Sequence, residues 1–389
     1  MNRVRVALLH CDRYEVNTLH RTLVRGFELL GGPARFVTRD ERVLLKPNIL
    51  AGCSPEQAVT THPAVLEAMI RILLEAGVRV SYGDSSGITK PQAAARDSGL
   101  AAVAERYGVE MGDFEHGRQV ALVRGSRSGE SRRRVPIARA VLEHDALFNL
   151  PKMKTHQLTR ITGAVKNLFG CVPGLGKPAM HVSYPEAMGF SRLLAQLHLR
   201  IRPRIHVLDG ILAMEGNGPR NGEPRSMNVI VMSEDPVAVD AVFARLIGLD
   251  PRFVTTCLAG HEAGIGTYRA EEIEIVGEAV GDLLQPEFKV IRTGVRENAL
   301  LKYYPTIRNL LLPRPEIDEQ RCERCGICIR ACPLPEKALK FNGQGAGSPP
   351  VYDYERCIRC YCCQEMCPHR AIERKTPFLG RVLLGRGGK

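Results

Sequence analysis

The chain has 389 residues, a length that predicts two or three domains. Hydrophobic residues make up 44% and charged residues 25%, which is typical of a globular protein with a sizeable buried core. There is no tryptophan and aromatic residues are only 5%, so a stacking platform for single-stranded nucleic acid is disfavoured. The formal charge of +12 favours an anionic partner.

The sequence contains neither a secretory leader nor an apolar run near the roughly 18 residues that cross a bilayer. No transmembrane segment is therefore expected. The 13 cysteines favour a reducing cytoplasm, and an anaerobic or microaerobic setting if they hold oxygen-sensitive groups.

Residues 1–295 alternate between strand and helix patterns, which predicts an α/β domain with a mostly parallel sheet flanked by helices. The predicted strands are 4–9, 43–45, 78–82, 146–150, 204–208 and 229–232, with weaker ones at 273–276 and 288–291. Pro63 is predicted to begin a helix that His62 or Thr61 caps, and Asp235-Pro236 to begin another. A further helix is expected over 158–169, followed by a loop that runs to His181.

Three segments are predicted to lie outside the regular elements. The run 124–134 (RGSRSGESRRR) is interpreted as a solvated surface loop or hairpin tip rather than a nucleic-acid patch. Residues 296–316 read as a linker that is helical up to Tyr304, where Pro305 limits it. Residues 377–389 form a basic tail, which either rests on a membrane surface as a short amphipathic segment or docks on the protein.

Polar residues follow several of the predicted strands at the points where those strands end. Parallel strands bring their carboxyl ends to one edge of a sheet, so these residues are expected to converge on one crevice. We assign proton transfer or carbonyl capture to one of the lysines of this edge, and cofactor or substrate contacts to its other polar residues. The candidate catalytic residues are Lys46, Lys154, His156, Lys166 and His181, and the candidate cofactor-binding residues are Asn48, Asp84, Ser85, Ser86, Asn167, Glu215 and Asn217.

Lysines at this edge, Lys152 among them, favour a carboxylate or phosphate ligand, and neighbouring ammonium groups lower each other's pKa. The alternative is that they are separate surface charges. Each histidine is equally open to a structural role, and His62 in particular is placed to cap a helix.

The strongest pattern is a cysteine motif that occurs twice, each copy ending in Cys-Pro. The copies are Cys322-x-x-Cys325-x-x-Cys328-x-x-x-Cys332-Pro333 and Cys357-x-x-Cys360-x-x-Cys363-x-x-x-Cys367-Pro368. This spacing is typical of bacterial two-cluster ferredoxins, in which the fourth cysteine of each motif ligates the other cluster. It predicts two [4Fe–4S] clusters in a small α+β ferredoxin domain over 317–376, with 341–350 as a surface insertion. Structural zinc and disulfides are the alternatives, and neither needs this spacing.

Cluster ligation would lower the net charge and leaves one cysteine of the second motif without a ligand role. Eight ligand thiolates and two oxidised clusters would reduce the net charge to about +8. Cys362 lies beside the ligand Cys363 and is expected to be a neighbouring thiol rather than a ninth ligand.

The α/β region contains six short motifs: Leu45-Lys46-Pro47-Asn48, Thr61-His62-Pro63, Gly83-Asp84-Ser85-Ser86-Gly87, Lys152-x-Lys154-Thr155-His156, Lys166-Asn167-x-x-Gly170 and Asp235-x-x-Ala238-x-Asp240. Taken together, these motifs resemble the uncharacterised DUF362 family, whose members often carry a C-terminal two-cluster ferredoxin. The resemblance covers nearly the whole chain and implies an iron–sulfur protein of unsettled activity.

The order His156, Lys166, Pro173-Gly174, His181 is also similar to the core of the nickel-pincer lactate racemase family. That resemblance implies Lys166 as a cofactor anchor with His156 and His181 as its companions. The residues around that family's lysine are only partly matched, and Asn167 follows the lysine here. The identity of any additional metal or organic cofactor is therefore left open.

Three functions are compatible with the sequence. The first is an oxidoreductase whose clusters pass electrons to a small anionic substrate or cofactor in the α/β domain. The second is an electron carrier or maturation protein that docks a partner enzyme, and the third is an isomerase or racemase with structural clusters. All but the last imply an electron donor or acceptor protein as partner.

Neither a dinucleotide fingerprint nor a P-loop is present, so NAD and ATP are not predicted. No recognisable nucleic-acid module is present either.

Overall fold

A computed structural model of the chain describes residues 3–87, 89–122, 134–174, 176–294, 304–342 and 347–383. Strands β1 to β12 are Val4–His10, Arg42–Pro47, Arg79–Tyr82, Glu110–Met111, Gly117–Ala121, Arg134–Ala138, Ala146–Leu150, Lys152–His156, Arg160–Thr162, Ile205–Glu215, Glu223–Ser233 and Ile273–Gly277. Helices α1 to α10 are Val16–Leu29, Pro63–Glu75, Pro91–Asp97, Leu100–Arg106, Arg139–Glu143, Ala164–Asn167, Gly176–Ser183, Ala187–Ile201, Pro236–Leu246 and Thr255–Glu262.

The C-terminal part adds four short strands and four short helices. Strands β13 to β16 are Arg314–Ile317, Leu339–Lys340, Val351–Tyr352 and Ile372–Lys375. Helices α11 to α14 are Pro305–Leu311, Ile327–Ala331, Cys362–Met366 and Phe378–Leu383. Short 3₁₀ turns are formed by Pro33–Arg35, Pro55–Gln57, Leu168–Cys171, Pro251–Phe253, Ala270–Glu272 and Val280–Leu283.

The centre of the α/β domain is a ten-stranded sheet with the order β12-β1-β11-β10-β7-β2-β3-β4, to which β8 and β9 are attached beside β10. Strand β11 is antiparallel to β1 and β10, and β9 is antiparallel to β8, whereas the other pairs are parallel. This confirms the predicted α/β class with a mostly parallel sheet.

Helices cover both faces of the sheet because the strands are apolar on both sides. On one face, α1 and α2 contribute buried residues such as Phe27 and Met69 to the core. On the other face, α8 and α9 contribute residues such as Leu194 and Phe243. The predicted start of α2 is confirmed, since His62 Nδ1 accepts a hydrogen bond from the Ala64 amide and Pro63 follows the cap.

The helix predicted over 158–169 is wrong. Residues up to Thr162 instead form the hairpin of β8 and β9, in which Lys154 pairs with Thr162. The β-branched residues Thr159, Ile161 and Thr162 favour the extended conformation. Only after Gly163 does the short helix α6 begin, and the predicted loop before His181 contains helix α7. No strand forms at the described residues 288–291, so that prediction is also wrong.

The connecting and terminal segments are partly described. Of the basic run, residues 124–133 lie outside the described ranges, and its flanks β5 and β6 pair antiparallel. Of the linker, residues 296–303 lie outside them. Tyr304 is not helical, and Pro305 begins α11, because proline is tolerated at a first helical position. Residues 343–346 of the predicted insertion are likewise outside. The predicted tail begins with α14.

Candidate functional site

The eight motif cysteines line two cavities in the C-terminal domain. One cavity is lined by Cys322, Cys325, Cys328 and Cys367. The other is lined by Cys332, Cys357, Cys360 and Cys363. Each cavity thus combines three cysteines of one motif with the last cysteine of the other, as the spacing predicts.

The chemistry of these cysteines fits iron–sulfur cubes. All 13 cysteines are free thiols, so none is consumed in a disulfide. Across the described ranges, no three His, Cys, Asp or Glu side chains are arranged to hold a single metal ion. Four thiols in each cavity, three of them spaced Cys-x-x-Cys-x-x-Cys and the fourth followed by proline, match a [4Fe–4S] cube better than zinc.

In the α/β domain, the ends of strands β2 and β3 join Lys46 to Asp84. These strands are parallel neighbours, so the residues that follow them lie side by side. Lys46 Nζ lies 2.7 Å from Asp84 Oδ1, and Asp84 Oδ2 accepts a hydrogen bond of 2.6 Å from the Ile49 amide. A Cβ on Gly170 would lie only 1.8 Å from Asp84 Oδ1, so this position requires glycine.

A chain of buried amide side chains fixes the middle of the site. Asn48 donates to Asn167 Oδ1 at 2.8 Å, and Asn167 donates to Asn149 Oδ1 at 2.7 Å. Asn48 Oδ1 in turn accepts from Lys154 Nζ at 2.8 Å, and the same ammonium donates to the Val59 carbonyl. The network therefore holds Lys154 without a carboxylate partner. Asn149 belongs to this network and was not predicted, because it lies within an apolar strand.

Helix α6 places Lys166 and Asn167, and Asp240 on helix α9 fixes its first turn. Asp240 Oδ1 and Oδ2 accept hydrogen bonds from the amides of Ala164 and Val165 at 2.5 and 3.2 Å. A Cβ on Gly163 would collide with this carboxylate. The Asp240 motif residue is therefore a positioning residue for the lysine-bearing helix.

Replacing Asp240 with alanine is expected to destabilise the α/β domain by about 2 to 4 kcal/mol, because two buried amide groups lose their acceptor. The measurement is the midpoint of denaturant unfolding of the anaerobic holoprotein. Asp282→Ala, at an exposed position of the same domain, is the matched control and should change stability little. Equal midpoints for the two variants would contradict the assignment.

Lys154 and Lys166 give the site a surplus of positive charge. Burial, together with the nearby Lys166 ammonium, lowers the pKa of Lys154 to about 7. Burial also lowers the pKa of Lys166, which interacts electrostatically with Glu365, Cys362, Lys46 and Asp84. Among the described residues Lys166 has no salt bridge, and its Nζ lies 6.0 Å from the centre of the Phe169 ring.

Glu365 belongs to the ferredoxin domain and lies in sequence between the cluster ligands Cys363 and Cys367. Its side chain reaches the polar site of the α/β domain. Its Oε1 lies 2.8 Å from His156 Nε2, while His156 Nδ1 accepts from the amides of Leu158 and Thr159. Burial and Lys166 lower the pKa of His156 to about 4, although Glu365 opposes this effect. The histidine is therefore neutral at pH 7, with its ring proton on Nε2 facing the carboxylate. The cysteine spacing contains no signal for this role of Glu365.

His181 and Lys177 border the same group of charges. The His181 ring stacks on Phe190 at 4.7 Å, and its buried Nδ1 has no hydrogen-bond partner among the described residues. Burial lowers the pKa of His181 to about 4 and that of Lys177 to about 8. Lys177, which the sequence analysis did not single out, donates to the carbonyls of Ser85 and Ser86.

The predicted cofactor-binding residues Ser85, Ser86 and Glu215 form hydrogen bonds elsewhere in the α/β domain. Ser85 Oγ accepts from the Gly174 amide, and Ser86 Oγ donates to the Thr89 carbonyl. Glu215 Oε2 accepts from the Lys289 amide at 2.9 Å. The structure therefore uses these three side chains within the α/β domain, apart from the Lys154–Lys166–Glu365 group.

Asn217 lies at the contact between the two domains. Gln364 Nε2 donates to the carbonyl and side-chain oxygens of Asn217 at 2.8 and 3.0 Å, and Asn221 donates to the Gln364 carbonyl at 2.6 Å. Arg220 donates to the Met366 carbonyl. These bonds hold helix α13, and with it Glu365, against the α/β domain.

Lys152 forms a separate buried ion pair with Asp209. The two atoms Nζ and Oδ2 are 2.7 Å apart, and the Tyr14 hydroxyl donates to the other carboxylate oxygen at 2.7 Å. The His62 amide also donates to Asp209. This charge is fully neutralised, and it ties the start of α2 to strand β10.

The fold and the two cysteine-lined cavities define an iron–sulfur protein with a ferredoxin domain, and residues 314–371 match the 4Fe-4S dicluster domain. The chain binds two [4Fe–4S] clusters. Residues 43–245 match the domain of unknown function DUF362. The protein belongs to the DUF362 family.

The chain is similar to several known proteins. The thylakoid-associated protein sll1697 of Synechocystis is 34% identical over 267 residues, which cover 68% of this chain and 81% of that protein. Two solved structures share 14% and 12% identity, with TM-scores of 0.37 and 0.38. They are a Thermotoga maritima protein and the lactate racemase apoprotein of Thermoanaerobacterium thermosaccharolyticum. The matches cover 66% and 61% of this chain, and 61% and 55% of those chains.

Proposed function

We propose that this protein is an oxidoreductase in which electrons from the two clusters reduce a small anionic substrate bound beside Lys166. The observation that carries the proposal is the position of Glu365. This residue lies two positions from each of the cluster ligands Cys363 and Cys367, and it contacts His156 of the α/β domain. The ferredoxin domain thus forms part of the polar site itself.

The charges of the site support an anionic substrate. Lys46 is neutralised by Asp84, and Lys152 by Asp209. Asp84, which also lies near Lys154 and Lys166, is paired with Lys46, and the other carboxylate near them, Glu365, lies against His156. A carboxylate or phosphate of the substrate would supply the missing negative charge.

The site residues also fit the proton requirement of such a reaction. The two clusters, when bound and reduced, supply one electron each. Reduction of a carbonyl or alkene consumes these two electrons together with two protons. Lys154, with a pKa of about 7, can deliver one proton at neutral pH and recover it from solvent. The second proton comes from solvent, and Lys166 holds the anionic group in place. An electron donor protein would reload the clusters.

Anaerobic single-turnover measurements test the proposal. Protein with reduced clusters is mixed with a panel of 2-oxo acids, unsaturated carboxylates and phosphate esters that carry a carbonyl group, and the visible absorbance of the clusters is followed. We expect one class to reoxidise both clusters and yield the two-electron product. Reoxidation by a partner protein but by none of the anions would favour the electron-carrier alternative. Isomerisation of a substrate with fully oxidised clusters would favour the racemase alternative.

The affinity for an anionic ligand is expected to depend on pH through Lys154. Its pKa in the folded protein, about 7, lies below the usual 10.5, so the ammonium is present below pH 7 and is lost as the pH rises. We expect the dissociation constant of oxalate, which is a dianion throughout this range, to rise about tenfold per pH unit above pH 7. Titration calorimetry measures this slope. Lys154→Met should abolish it, whereas Lys340→Met, at an exposed lysine, should retain it.

We propose that the protein is located in a reducing cytoplasm. The cluster cysteines and the free thiols Cys11, Cys53, Cys171 and Cys257 support the predicted reducing cytoplasm. Within the described ranges, none of the helices has the length and apolar content needed to cross a bilayer.

A further inference from the structure

Exposed apolar side chains are concentrated on two short helices beside the ferredoxin domain. Of the eleven large hydrophobic residues that are exposed among those described, seven lie on α14 or on α11 and the residue that precedes it. We call them the α11/α14 patch: Tyr304, Ile307, Leu310, Phe378, Leu379, Val382 and Leu383. Phe378, Val382 and Leu383 are 69%, 61% and 67% exposed, values that a folded protein rarely leaves uncovered in one place.

The two helices form one continuous surface. Helices α11 and α14 pack against each other. Gly380 allows their close approach, since a Cβ there would lie 2.0 Å from the Leu311 carbonyl oxygen. Arg359 donates to Asn309 Oδ1 on α11, and Arg308 donates to the Tyr354 carbonyl, so the patch is fixed to the cluster domain.

The two segments that carry the patch contain basic residues and no acidic ones. Segments 304–315 and 376–389 contain five Arg or Lys residues and neither Asp nor Glu. Arg381, on α14 between the exposed apolar residues, is itself exposed and has no ion pair in the part of the chain that the structure describes. The sequence then continues with Arg386 and Lys389. Arg314, at the far end of the α11 segment, pairs with Glu316, so the unpaired positive charge lies on the α14 side of the patch. An apolar surface flanked by such cations is complementary to an anionic lipid headgroup layer.

We propose that the α11/α14 patch docks the protein on the surface of an anionic lipid bilayer. Phe378, Val382 and Leu383 would enter the boundary between headgroups and acyl chains, while Arg381 pairs with lipid phosphates. Because Arg308 of α11 bonds to the carbonyl of the cluster ligand Cys357, docking holds the second cluster close to the membrane surface. A redox partner embedded in the membrane would then be within reach of that cluster.

Flotation of the anaerobically purified holoprotein with lipid vesicles tests this proposal. We expect the protein to float with vesicles of phosphatidylcholine and phosphatidylglycerol, and much less with phosphatidylcholine alone. The combined substitutions Phe378→Ser, Val382→Ser and Leu383→Ser should lower the bound fraction at least about tenfold. Arg381→Gln should lower the affinity for the anionic vesicles about fivefold.

Leu284→Ser provides the matched control, since Leu284 is an exposed leucine of the α/β domain. It should bind vesicles like the unaltered protein, and unchanged cluster absorbance in every variant shows that the fold is retained. Failure to float with anionic vesicles would overturn the proposal, as would equal losses in the control and the triple variant. The unaltered protein could instead be dimeric and fail to bind vesicles while the triple variant is monomeric. That result would show that the patch binds a second copy of the chain and would overturn the membrane proposal.

Discussion

Replacing Cys332 with alanine is expected to remove the cluster of the second cysteine motif, although Cys332 belongs to the first. The reason is that Cys332 lines the same cavity as Cys357, Cys360 and Cys363. Iron and sulfide should fall to about half, and the electron paramagnetic resonance spectrum of the reduced protein should match that of Cys363→Ala. Cys367→Ala should match Cys328→Ala for the same reason, because both residues line the other cavity.

Cys362, which lies with the ligand Cys363 on helix α13, offers a control. It adjoins the ligand Cys363 but does not line either cavity. Cys362→Ala should therefore retain both clusters and their full iron content. If Cys332→Ala instead gave the same spectrum as Cys328→Ala, each motif would hold its own cluster and the cross-ligation would be refuted.

Replacing Lys166 with methionine is expected to slow substrate-driven reoxidation of the clusters about 10² to 10³-fold. Methionine keeps much of the side-chain volume but removes the ammonium that would balance the substrate anion. Stopped-flow absorbance with the anion identified in the panel measures the rate. Iron and sulfide contents should be unchanged, since Lys166 lines neither cluster cavity.

Lys340→Met is the matched control for Lys166→Met. Lys340 is an exposed lysine of the ferredoxin domain, so its loss should leave the rate unaltered. Lys166→Arg separates charge from shape, because it keeps the cation on a larger side chain. Full activity of Lys166→Met would remove Lys166 from the proposed site.

Much of the fold and part of the site could be predicted because local patterns carry them. Strand ends are marked by the transition from apolar to polar residues, and the parallel order of β2 and β3 then brings Lys46 to Asp84. The cysteine spacing likewise predicts which thiols share a cavity. These features depend on neighbours in sequence or on regular sheet geometry.

The missed features depend on contacts between distant segments. The hairpin of β8 and β9 replaces a predicted helix because strand pairing fixes residues that also fit a helical pattern. Asn149 joins the amide network from within a strand whose apolar neighbours conceal it. Glu365 reaches His156 only because the two domains dock in one particular orientation, which spacing within a motif does not encode.

The contacts of helix α13 with the α/β domain have an evolutionary consequence. A ferredoxin that served only as a tethered source of electrons could be exchanged for any other ferredoxin. Here Gln364 and Glu365, which lie between two cluster ligands, bond to Asn217 and contact His156. A replacement domain would have to reproduce both side chains as well as the cysteines. The two halves are therefore constrained to diverge together, and a change on either side of this boundary would select for compensation on the other.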